Sequence, residues 1–205
     1  ALIGILDYGL GNVAAFENAL NRLNRPLHRI THSCLNRADM KGLILPGVGH
    51  FDAAVSLLEG DFSDYIRQHA LKGGWILGVC VGMQLMMSES EEGVKKGLDL
   101  ISGTVVKLPS SPLFGVPHIG WNSIESVCHQ SDWVTELNGK ECYFLHSYAC
   151  EPFDRSVVKA VSRYSIPVVS VIKAANLVGM QFHPEKSHLV GLQALRTFCE
   201  MVEAS

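Results

Sequence analysis

The sequence predicts an α/β fold in which a mostly parallel, doubly wound central sheet carries helices on both faces and an antiparallel extension. Through residue 88 the chain alternates short apolar runs with amphipathic stretches, a pattern typical of parallel strands joined by helices. After residue 88, strand-like runs follow one another closely, which indicates antiparallel pairs that extend the sheet. With 205 residues, 47% of them hydrophobic and 18% charged, we expect one domain spanning residues 1–205.

Composition and charge argue against several classes of partner. The net charge is −3 and no basic run stands out, so nucleic acid is not an expected partner. No apolar stretch approaches the ~20 residues that span a bilayer, and the first residues lack the basic flank and cleavage site of a signal peptide. The 6 cysteines include no C-x-x-C pair. We therefore expect reduced thiols in the cytoplasm, and neither a metal nor a cofactor.

The first half of the chain contains four predicted strands, at residues 2–6, 27–30, 42–45 and 75–79. Asn12 is a candidate N-cap for the helix after the first strand, whose apolar residues fall on one face. These residues are Val13, Phe16, Leu20 and Leu23. Residues 52–71 predict one or two helices. Because parallel strands end at the same edge of a sheet, the functional site is expected at their carboxyl ends.

The turn after the first strand, Gly9-Leu10-Gly11-Asn12-Val13-Ala14, fits the G-x-G-x-x-A fingerprint of dinucleotide-binding proteins. That fingerprint requires an acidic residue after the second strand to bind the ribose. Here Thr31, His32 and Ser33 follow that strand, and the nearest acid downstream is Asp39. The missing partner disfavours nicotinamide binding.

Residues 74–88 contain the strongest candidate for chemistry. An apolar strand leads to Cys80, which lies between Gly78 and Gly82 and before a helix-compatible stretch. A nucleophile at a sharp strand-to-helix corner is an elbow, and the flanking glycines permit strained backbone there. The N-terminus of the following helix favours thiolate over thiol. A buried, unreactive cysteine is the structural alternative.

Two further stretches could complete a hydrolytic site. His183 is a candidate general base, and Glu185 could orient its ring and stabilise its cation. In an extended segment, which Pro184 favours, side chains two positions apart point to the same side. The loop 46–49, Pro-Gly-Val-Gly, could direct backbone N–H groups at a tetrahedral oxyanion. A loop histidine and an ordinary strand-to-helix turn are the respective alternatives.

The second half of the chain predicts strands at residues 104–108, 121–127, 143–148, 157–164, 168–173 and 178–182. Asn138-Gly139 is a turn signal. A closing helix is predicted from the spacing of its apolar face, which comprises Leu192, Leu195, Phe198, Cys199 and Val202.

Over essentially its whole length the chain resembles the class I (triad-type) glutamine amidotransferases. The motifs that carry this resemblance are Gly78-Val79-Cys80-Val81-Gly82-Met83-Gln84 and Gln181-Phe182-His183-Pro184-Glu185. Within the class it is similar to the glutaminase subunits of imidazole glycerol phosphate synthases, which act in histidine biosynthesis. This narrower similarity rests on residues 7–12, 46–49, 117–122, 144–148 and 183–187. Val81, where leucine is common, is a conservative departure.

The resemblance implies a reaction and a set of residues. L-Glutamine would be hydrolysed to glutamate and ammonia by a catalytic triad of Cys80, His183 and Glu185. The oxyanion would be held by the backbone N–H groups of Val48 and Val81. The residues expected to contact glutamine are Gly49, Gln84, Glu92 (with Glu91 as a competitor for that place), His146, Ser147 and Tyr148. The residues expected at a partner interface are Asn12, Trp121, Asn122 and Lys186.

The resemblance also implies a partner, a separate (β/α)₈-barrel cyclase subunit that receives the ammonia in a heterodimer. Two alternatives remain at this point. The chain could serve another class I amidotransferase, in purine, guanylate or anthranilate synthesis, although the stretch 117–122 argues against that. It could also be a non-catalytic interaction module, which would be expected to lack the nucleophile or the base. For Trp121, a role as a core anchor is the alternative to the interface.

Overall fold

A computed structural model describes residues 2–37, 40–127 and 132–205, so Asp39 and Cys128 lie outside the described residues. Its α-helices are α1 (Val13–Arg22), α2 (Phe51–Leu58), α3 (Asp61–Leu71), α4 (Val81–Leu85) and α5 (His188–Glu203). Its strands are β1 (Ile3–Leu6), β2 (Leu27–Ile30), β3 (Gly42–Leu45), β4 (Trp75–Val79), β5 (Glu89–Ser90), β6 (Gly103–Lys107), β7 (His118–Ser123), β8 (Glu125–Ser126), β9 (Glu141–His146), β10 (Tyr148–Pro152), β11 (Val158–Arg163), β12 (Pro167–Ala174) and β13 (Leu177–Met180).

An eight-stranded central sheet has the order β2-β1-β3-β4-β13-β12-β11-β8. The strands from β2 to β13 in this order are parallel, and β12, β11 and β8 continue the sheet with antiparallel pairs. The chain moves toward one edge from β1 to β2 and toward the other from β3 to β4. Right-handed crossovers in opposite directions place helices on both faces. The predicted fold class is therefore confirmed.

The core lies on both sides of the parallel strands. Every residue of β1, β3 and β13 is buried, because strands covered on both faces have no solvent side. Helices α1 and α5 pack against each other, and α2 contacts both α3 and α4. Asn12 caps α1 as predicted, since its side-chain oxygen accepts a hydrogen bond from the Ala15 N–H at 3.1 Å.

The second half of the chain departs from the prediction of one extended sheet. The predicted strand at 104–108 forms β6, which pairs with β10 and β5 in a separate three-stranded sheet. The run 121–127 divides between β7 and β8, and the run 143–148 divides at Ser147 between β9 and β10. Strands β7 and β9 form a two-stranded ribbon. Alternation of apolar residues identifies a strand but not its neighbour, so the pattern could not place these strands.

The remaining local predictions agree with the structure. Residues 52–71 form two helices, divided at Gly60, whose φ of 83° lies in the left-handed region. Asn138-Gly139 is a turn before β9, and Gly139 also has positive φ, at 73°. Helix α5 buries most of its predicted apolar face, with Leu192 only partly covered. Within the part of the chain described, no helix combines the length and the apolar character needed to cross a membrane.

Candidate active site

Cys80 lies at the corner between β4 and α4, in a backbone conformation that only close packing can hold. Its φ is 54° and its ψ is −114°, outside the regions that non-glycine residues favour. A Cβ on Gly82 would lie 1.9 Å from the carbonyl oxygen of Leu45, and one on Gly78 would lie 2.7 Å from that of Gly82. Both positions therefore require glycine, and the predicted elbow is present.

The Cys80 side chain is buried, with its sulfur 3.6 Å from the carbonyl oxygen of Leu145. Helix α4 after it has only 5 residues, so its dipole is short and supplies less than the prediction assumed. His183 is the charged group that can stabilise a thiolate at Cys80, since the two side chains interact.

His183 follows β13 and is held from two sides of its backbone. Its N–H donates to the carbonyl oxygen of Tyr143 at 2.9 Å, which ties it to β9. Its own carbonyl oxygen accepts from the Ser187 hydroxyl at 2.6 Å, and that hydroxyl accepts from the Tyr143 N–H at 2.9 Å. The base is thus fixed to the β7–β9 ribbon through main-chain contacts.

Glu185 orients the His183 ring, but not by the geometry that the sequence suggested. His183 is extended, as expected before a proline, yet Pro184–Lys186 then forms a 3₁₀ turn. That turn, and not strand alternation, brings Glu185 Oε1 to 2.8 Å from His183 Nδ1. Helix α5 limits the turn from outside, since a Cβ on Gly191 would lie 1.9 Å from the Pro184 carbonyl oxygen.

The charges around His183 favour its protonated form. Burial lowers the pKa of the imidazole, but interactions with Cys80 and Glu185 outweigh burial and raise it to about 9. The side chains of His183 and Glu185 are each only 2% exposed. His183 Nε2 is buried without a hydrogen bond within normal distance, although the Cys80 side chain is near enough to perturb the ring. This nitrogen is therefore available to a reacting group.

A cavity of about 220 Å³ opens beside Cys80 and His183, a size suited to a ligand no larger than an amino acid. It includes every residue predicted to hold the oxyanion or contact glutamine, namely Val48, Gly49, Val81, Gln84, Glu92, His146, Ser147 and Tyr148. Two lining residues, Pro117 and Leu145, were not predicted. Both are apolar, and no sequence pattern distinguishes them from ordinary core residues.

The two competing glutamates occupy different places. Glu92 lines the cavity, and its Oε2 accepts a hydrogen bond from the Phe51 N–H at 2.8 Å. Glu91 instead accepts from the Lys107 N–H at 2.7 Å, on the strand β6. Of the two carboxylates, Glu92 is the one placed to meet a ligand.

Gln84 and Tyr148 are linked on the cavity wall. The Tyr148 carbonyl oxygen accepts from Gln84 Nε2 at 3.0 Å and from His146 Nδ1 at 2.8 Å. Gln84 Nε2 also donates to Gln181 Oε1 at 3.2 Å. Gln181, which belongs to the family motif but was not predicted as a site residue, is fully buried and fixes the direction of the Gln84 amide.

The predicted oxyanion loop is supported by the turn after β1. The Tyr8 hydroxyl donates to the Pro46 carbonyl oxygen at 2.6 Å, and Gly11, with φ of 102°, lies against the Pro46 ring. The glycine pattern that resembles a dinucleotide fingerprint thus supports this loop. Gly47 lies against the elbow, where an added Cβ would come within 2.9 Å of Val81 Cβ. Val81 begins α4, so its N–H has no acceptor within the helix.

The predicted interface residues do not all share one environment. Trp121 is 45% exposed and stacks on His188, with ring centres 5.0 Å apart, so it is not a core anchor. Lys186 is exposed and lies 5.8 Å above the Tyr143 ring. Asn12 is exposed at the start of α1. Asn122 is only half-exposed, and its side chain is engaged within the chain.

Comparisons with known proteins agree with the fold described above. A sequence model of the family "Glutamine amidotransferase class-I" matches residues 5–200. The chain is 39% identical over 208 residues to imidazole glycerol phosphate synthase subunit HisH of Geobacillus sp. (strain WCH70), covering 98% of each chain. It is 41% identical over 210 residues to HisH of Geobacillus thermodenitrificans (strain NG80-2), covering 98% of this chain and 96% of the other. A crystal structure of a glutamine amidotransferase superposes with a TM-score of 0.75 at 18% identity, covering 99% and 100% of the two chains, which shows the shared fold.

Proposed function

Because the chain belongs to the class I glutamine amidotransferases, in the family of imidazole glycerol phosphate synthase subunit HisH, we propose that Cys80, His183 and Glu185 are its catalytic triad. The family makes it the glutaminase subunit that serves histidine biosynthesis. The observation that carries the triad is the convergence of a strained cysteine, a buried histidine and a paired carboxylate on one small cavity.

The first half of the reaction is acylation of the enzyme. The Cys80 sulfur, as thiolate, attacks the carboxamide carbon of glutamine, and the carbonyl oxygen becomes an oxyanion. The N–H groups of Val48 and Val81 donate to that oxygen. His183, which holds a proton at neutral pH, transfers it from Nε2 to the leaving nitrogen as the C–N bond breaks. Ammonia and a thioester on Cys80 are the products of this step.

The second half is hydrolysis of the thioester. His183 Nε2, now unprotonated, removes a proton from water, and the resulting hydroxide attacks the thioester carbon. Collapse of the second tetrahedral intermediate breaks the C–S bond, releases glutamate and leaves the thiolate beside a protonated imidazole. Glu185 acts in both halves by orienting the ring and stabilising its cation, the role that the carboxylate has in other triads.

The cavity wall offers groups that suit the rest of the substrate. Glu92 supplies a carboxylate for the α-ammonium group of glutamine. Gln84 has committed its amide N–H groups to Tyr148 and Gln181, so its carbonyl oxygen remains as an acceptor. Gly49, His146, Ser147 and Tyr148 complete the expected contacts.

The ammonia passes to a separate (β/α)₈-barrel cyclase subunit, with which the chain forms a heterodimer. The outward face of the β7–β9 ribbon is the docking surface that fits this role. Ile119 and Leu145 are directly opposite each other in the ribbon and are 58% and 37% exposed. Trp121 lies beside them, with Lys186 at the edge. Leu145 also lines the cavity, so this face adjoins the place where ammonia forms.

The assembled enzyme should hydrolyse glutamine faster than the isolated chain, because an unassisted site would waste substrate. The loop 46–49 is the expected point of control, since Gly49 has φ of 91° with open space around it. A peptide flip there would move one oxyanion donor, and loss of one donor costs about 10²–10³ in rate. We propose that the chain is a single domain. We also propose that it works in the cytoplasm together with the cyclase subunit.

One assay tests the proposal. Glutamate release from glutamine is measured for the chain alone and after mixing with the cyclase subunit. We expect slow release from the chain alone and a large increase on mixing. Absence of glutamate release in both conditions would contradict the glutaminase assignment, while equal release in both would contradict the control by assembly.

A further inference from the structure

His118 lies outside the cavity, but it contacts His146, which lines the cavity. It is 3% exposed and has no place among the residues that line the site. Its ring is stacked between two aromatic rings, with centres 4.7 Å from Phe144 and 4.1 Å from Tyr164. The two stacking partners fix the plane of the imidazole, and its hydrogen-bond partners select one of the two ring orientations in that plane.

The hydrogen bonds around His118 admit a single arrangement of protons. The Tyr148 carbonyl oxygen can only accept, so His146 Nδ1, 2.8 Å away, carries a proton. His146 Nε2 is then the acceptor for His118 Nδ1–H, at 2.9 Å. His118 Nε2 in turn accepts from Asn122 Nδ2, at 3.3 Å. Each histidine is neutral, with its proton on Nδ1.

Asn122 is the outermost member of this series of hydrogen bonds. Its Nδ2 also donates to the carbonyl oxygen of Arg163 at 2.9 Å, and its Oδ1 accepts from the Ser123 N–H at 2.8 Å. Turning the amide over would break both bonds. An extra proton on either histidine would therefore place two donors face to face, and turning a ring or the amide to relieve that contact would break other hydrogen bonds of the series.

The innermost member of this series of hydrogen bonds is the Tyr148 carbonyl oxygen, at the glutamine cavity. The Tyr148 carbonyl oxygen is held between His146 Nδ1 and Gln84 Nε2, which fill both of its lone pairs. Ser147 connects His146 to Tyr148 at the bend between two sheets, and all three line the cavity. The position of this wall therefore depends on the direction in which His146 donates.

We propose that His118 is a positioning residue for glutamine binding, which holds His146 as the neutral Nδ1–H form and so fixes the Tyr148 wall of the cavity. This inference rests on the proposed glutaminase function. His118 touches neither the substrate nor the reacting atoms, and it acts only through His146. Loss of its donor leaves a buried nitrogen unpaired and frees the His146 ring, which weakens binding of the substrate and of the transition state alike.

Two variants of His118 separate this role from simple packing. His118→Phe keeps an aromatic ring between Phe144 and Tyr164 but removes the donor. His118→Asn loses the ring but places an amide N–H where Nδ1 was. In the assembled enzyme, His118→Phe should raise the KM for glutamine about tenfold, as expected for one buried hydrogen bond, and leave kcat within about twofold. His118→Asn should stay within about threefold of the wild-type KM because the donor is kept.

His69 provides a matched control. Its Nε2 lies 3.1 Å from the Trp75 carbonyl oxygen, its ring stacks on Tyr65, and it lies outside the lining of the cavity. His69→Phe should lower stability without changing the KM. The proposal is overturned if His118→Phe leaves the KM unchanged, if His118→Asn is as impaired as His118→Phe, or if His69→Phe raises the KM equally.

A spectroscopic measurement tests the proton arrangement without relying on turnover. In ¹⁵N-histidine-labelled wild-type chain at pH 7, the nitrogen shifts of His118 and His146 should show protonated Nδ1 and unprotonated Nε2. An imidazolium, or the Nε2–H form, at either residue overturns the proposal. This result stands even if His118→Phe does not fold. Failure of the glutaminase function itself would appear as wild-type chain that releases no glutamate.

Discussion

His183 and the His118–His146 pair are buried beside the same cavity, yet their surroundings favour opposite protonation states. Burial lowers the pKa of all three imidazoles. His183 has the Glu185 carboxyl group at 2.8 Å and the Cys80 side chain beside it, and interactions with both raise its pKa to about 9. Among the described residues, His118 and His146 have no carboxylate partner, and burial lowers their pKa values to about 4 and about 3, with the charge of His183 adding to the lowering at His146.

The difference shows that the charge of the partner, more than burial, decides what a histidine does at this site. The imidazole beside a carboxylate can hold a proton and transfer it, which general acid–base catalysis requires. The imidazoles without a carboxylate partner keep fixed donor and acceptor atoms over the working pH range. His183 is placed to gain and lose a proton, whereas His118 and His146 are placed to keep theirs, and four predicted effects test this difference.

The largest effect is expected at Cys80, whose thiolate is both the nucleophile and one of the groups that favour the His183 cation. Cys80→Ala should lower glutamine hydrolysis by at least about 10⁴-fold, as loss of a triad nucleophile does elsewhere. Synthesis from ammonium salts by the partner should persist. Cys199, a buried cysteine of α5 whose thiol pKa is raised by burial to about 11, provides the control, and Cys199→Ala should keep activity. Glutamine hydrolysis by Cys80→Ala would refute the mechanism.

The second effect concerns the carboxylate that distinguishes His183 from the other two histidines. Glu185→Gln keeps an acceptor for Nδ1–H but removes the charge, so the pKa of His183 should fall and the activity should drop by about 10⁴, less than the roughly 10⁶ that loss of a triad nucleophile costs. His183→Ala should be nearly as severe as Cys80→Ala. An NMR titration of His183 and the rate of glutamate release measure both consequences. A loss in Glu185→Gln equal to that in Cys80→Ala would give the carboxylate a larger role than orientation.

The third effect is a stability profile with two limbs. Between pH 6.5 and about 9 the folded chain retains a proton on His183 that the unfolded chain has released, so stability falls as the pH rises. Between pH 6.5 and about 4 the unfolded chain protonates its counterparts of His118 and His146 while the folded chain does not, so stability falls as the pH falls. These three groups together favour a maximum near pH 6.5.

Thermal melts of two variants across this range assign the limbs. His118→Phe should make the acidic limb shallower, since His146 still contributes to it, and leave the basic limb unchanged. Glu185→Gln should flatten the basic limb and leave the acidic one. Carboxylates begin to titrate at the lower end of the acidic window, and His69, whose pKa burial also lowers, adds to this limb in both variants, so the comparison between the variants carries the test. A uniform drop in Tm at every pH in either variant would show that its effect is packing alone.

The smallest effect on the chain itself is expected on the outward face of the ribbon that holds the neutral pair. Trp121→Ala should change the Tm of the isolated chain only slightly, whereas a core tryptophan would cost about 3–5 kcal/mol. It should weaken stimulation by the cyclase subunit if this face is the docking surface. Phe153→Ala, at a residue 70% exposed and outside the ribbon, is the control. A strongly lowered Tm with normal stimulation would contradict the interface role.

These two sites were not equally accessible to prediction. The Cys80 elbow is encoded within a few residues, since a strand, two glycines and a helix produce it locally, and the sequence predicted it correctly. The ring of His183 was also predicted to meet Glu185, but the 3₁₀ turn that brings them together depends on packing of α5 against the turn. The local sequence determines the Cys80 elbow, whereas the His183–Glu185 contact also depends on tertiary packing.

The His118–His146 contact could not be predicted, because it depends on the register between two strands far apart in the chain. His118 is paired with His146 across the ribbon, and shifting either strand by one residue would point one ring to solvent. The sequence prediction assigned these strands to the central sheet, so it missed both the ribbon and its two faces. The prediction missed Pro117 and Leu145 as cavity residues for the same reason, since the ribbon brings both to the cavity.

Gly191 shows how a residue without a side chain can set the limits of change at this site. Because α5 leaves no room for a methyl group beside Pro184, the catalytic turn cannot shift outward to accommodate a bulkier ligand. A bulkier substrate would instead need changes elsewhere in the cavity lining, to which the apolar residues Pro117 and Leu145 belong. A library intended to broaden specificity should therefore vary those two positions and leave the helix that borders the turn untouched.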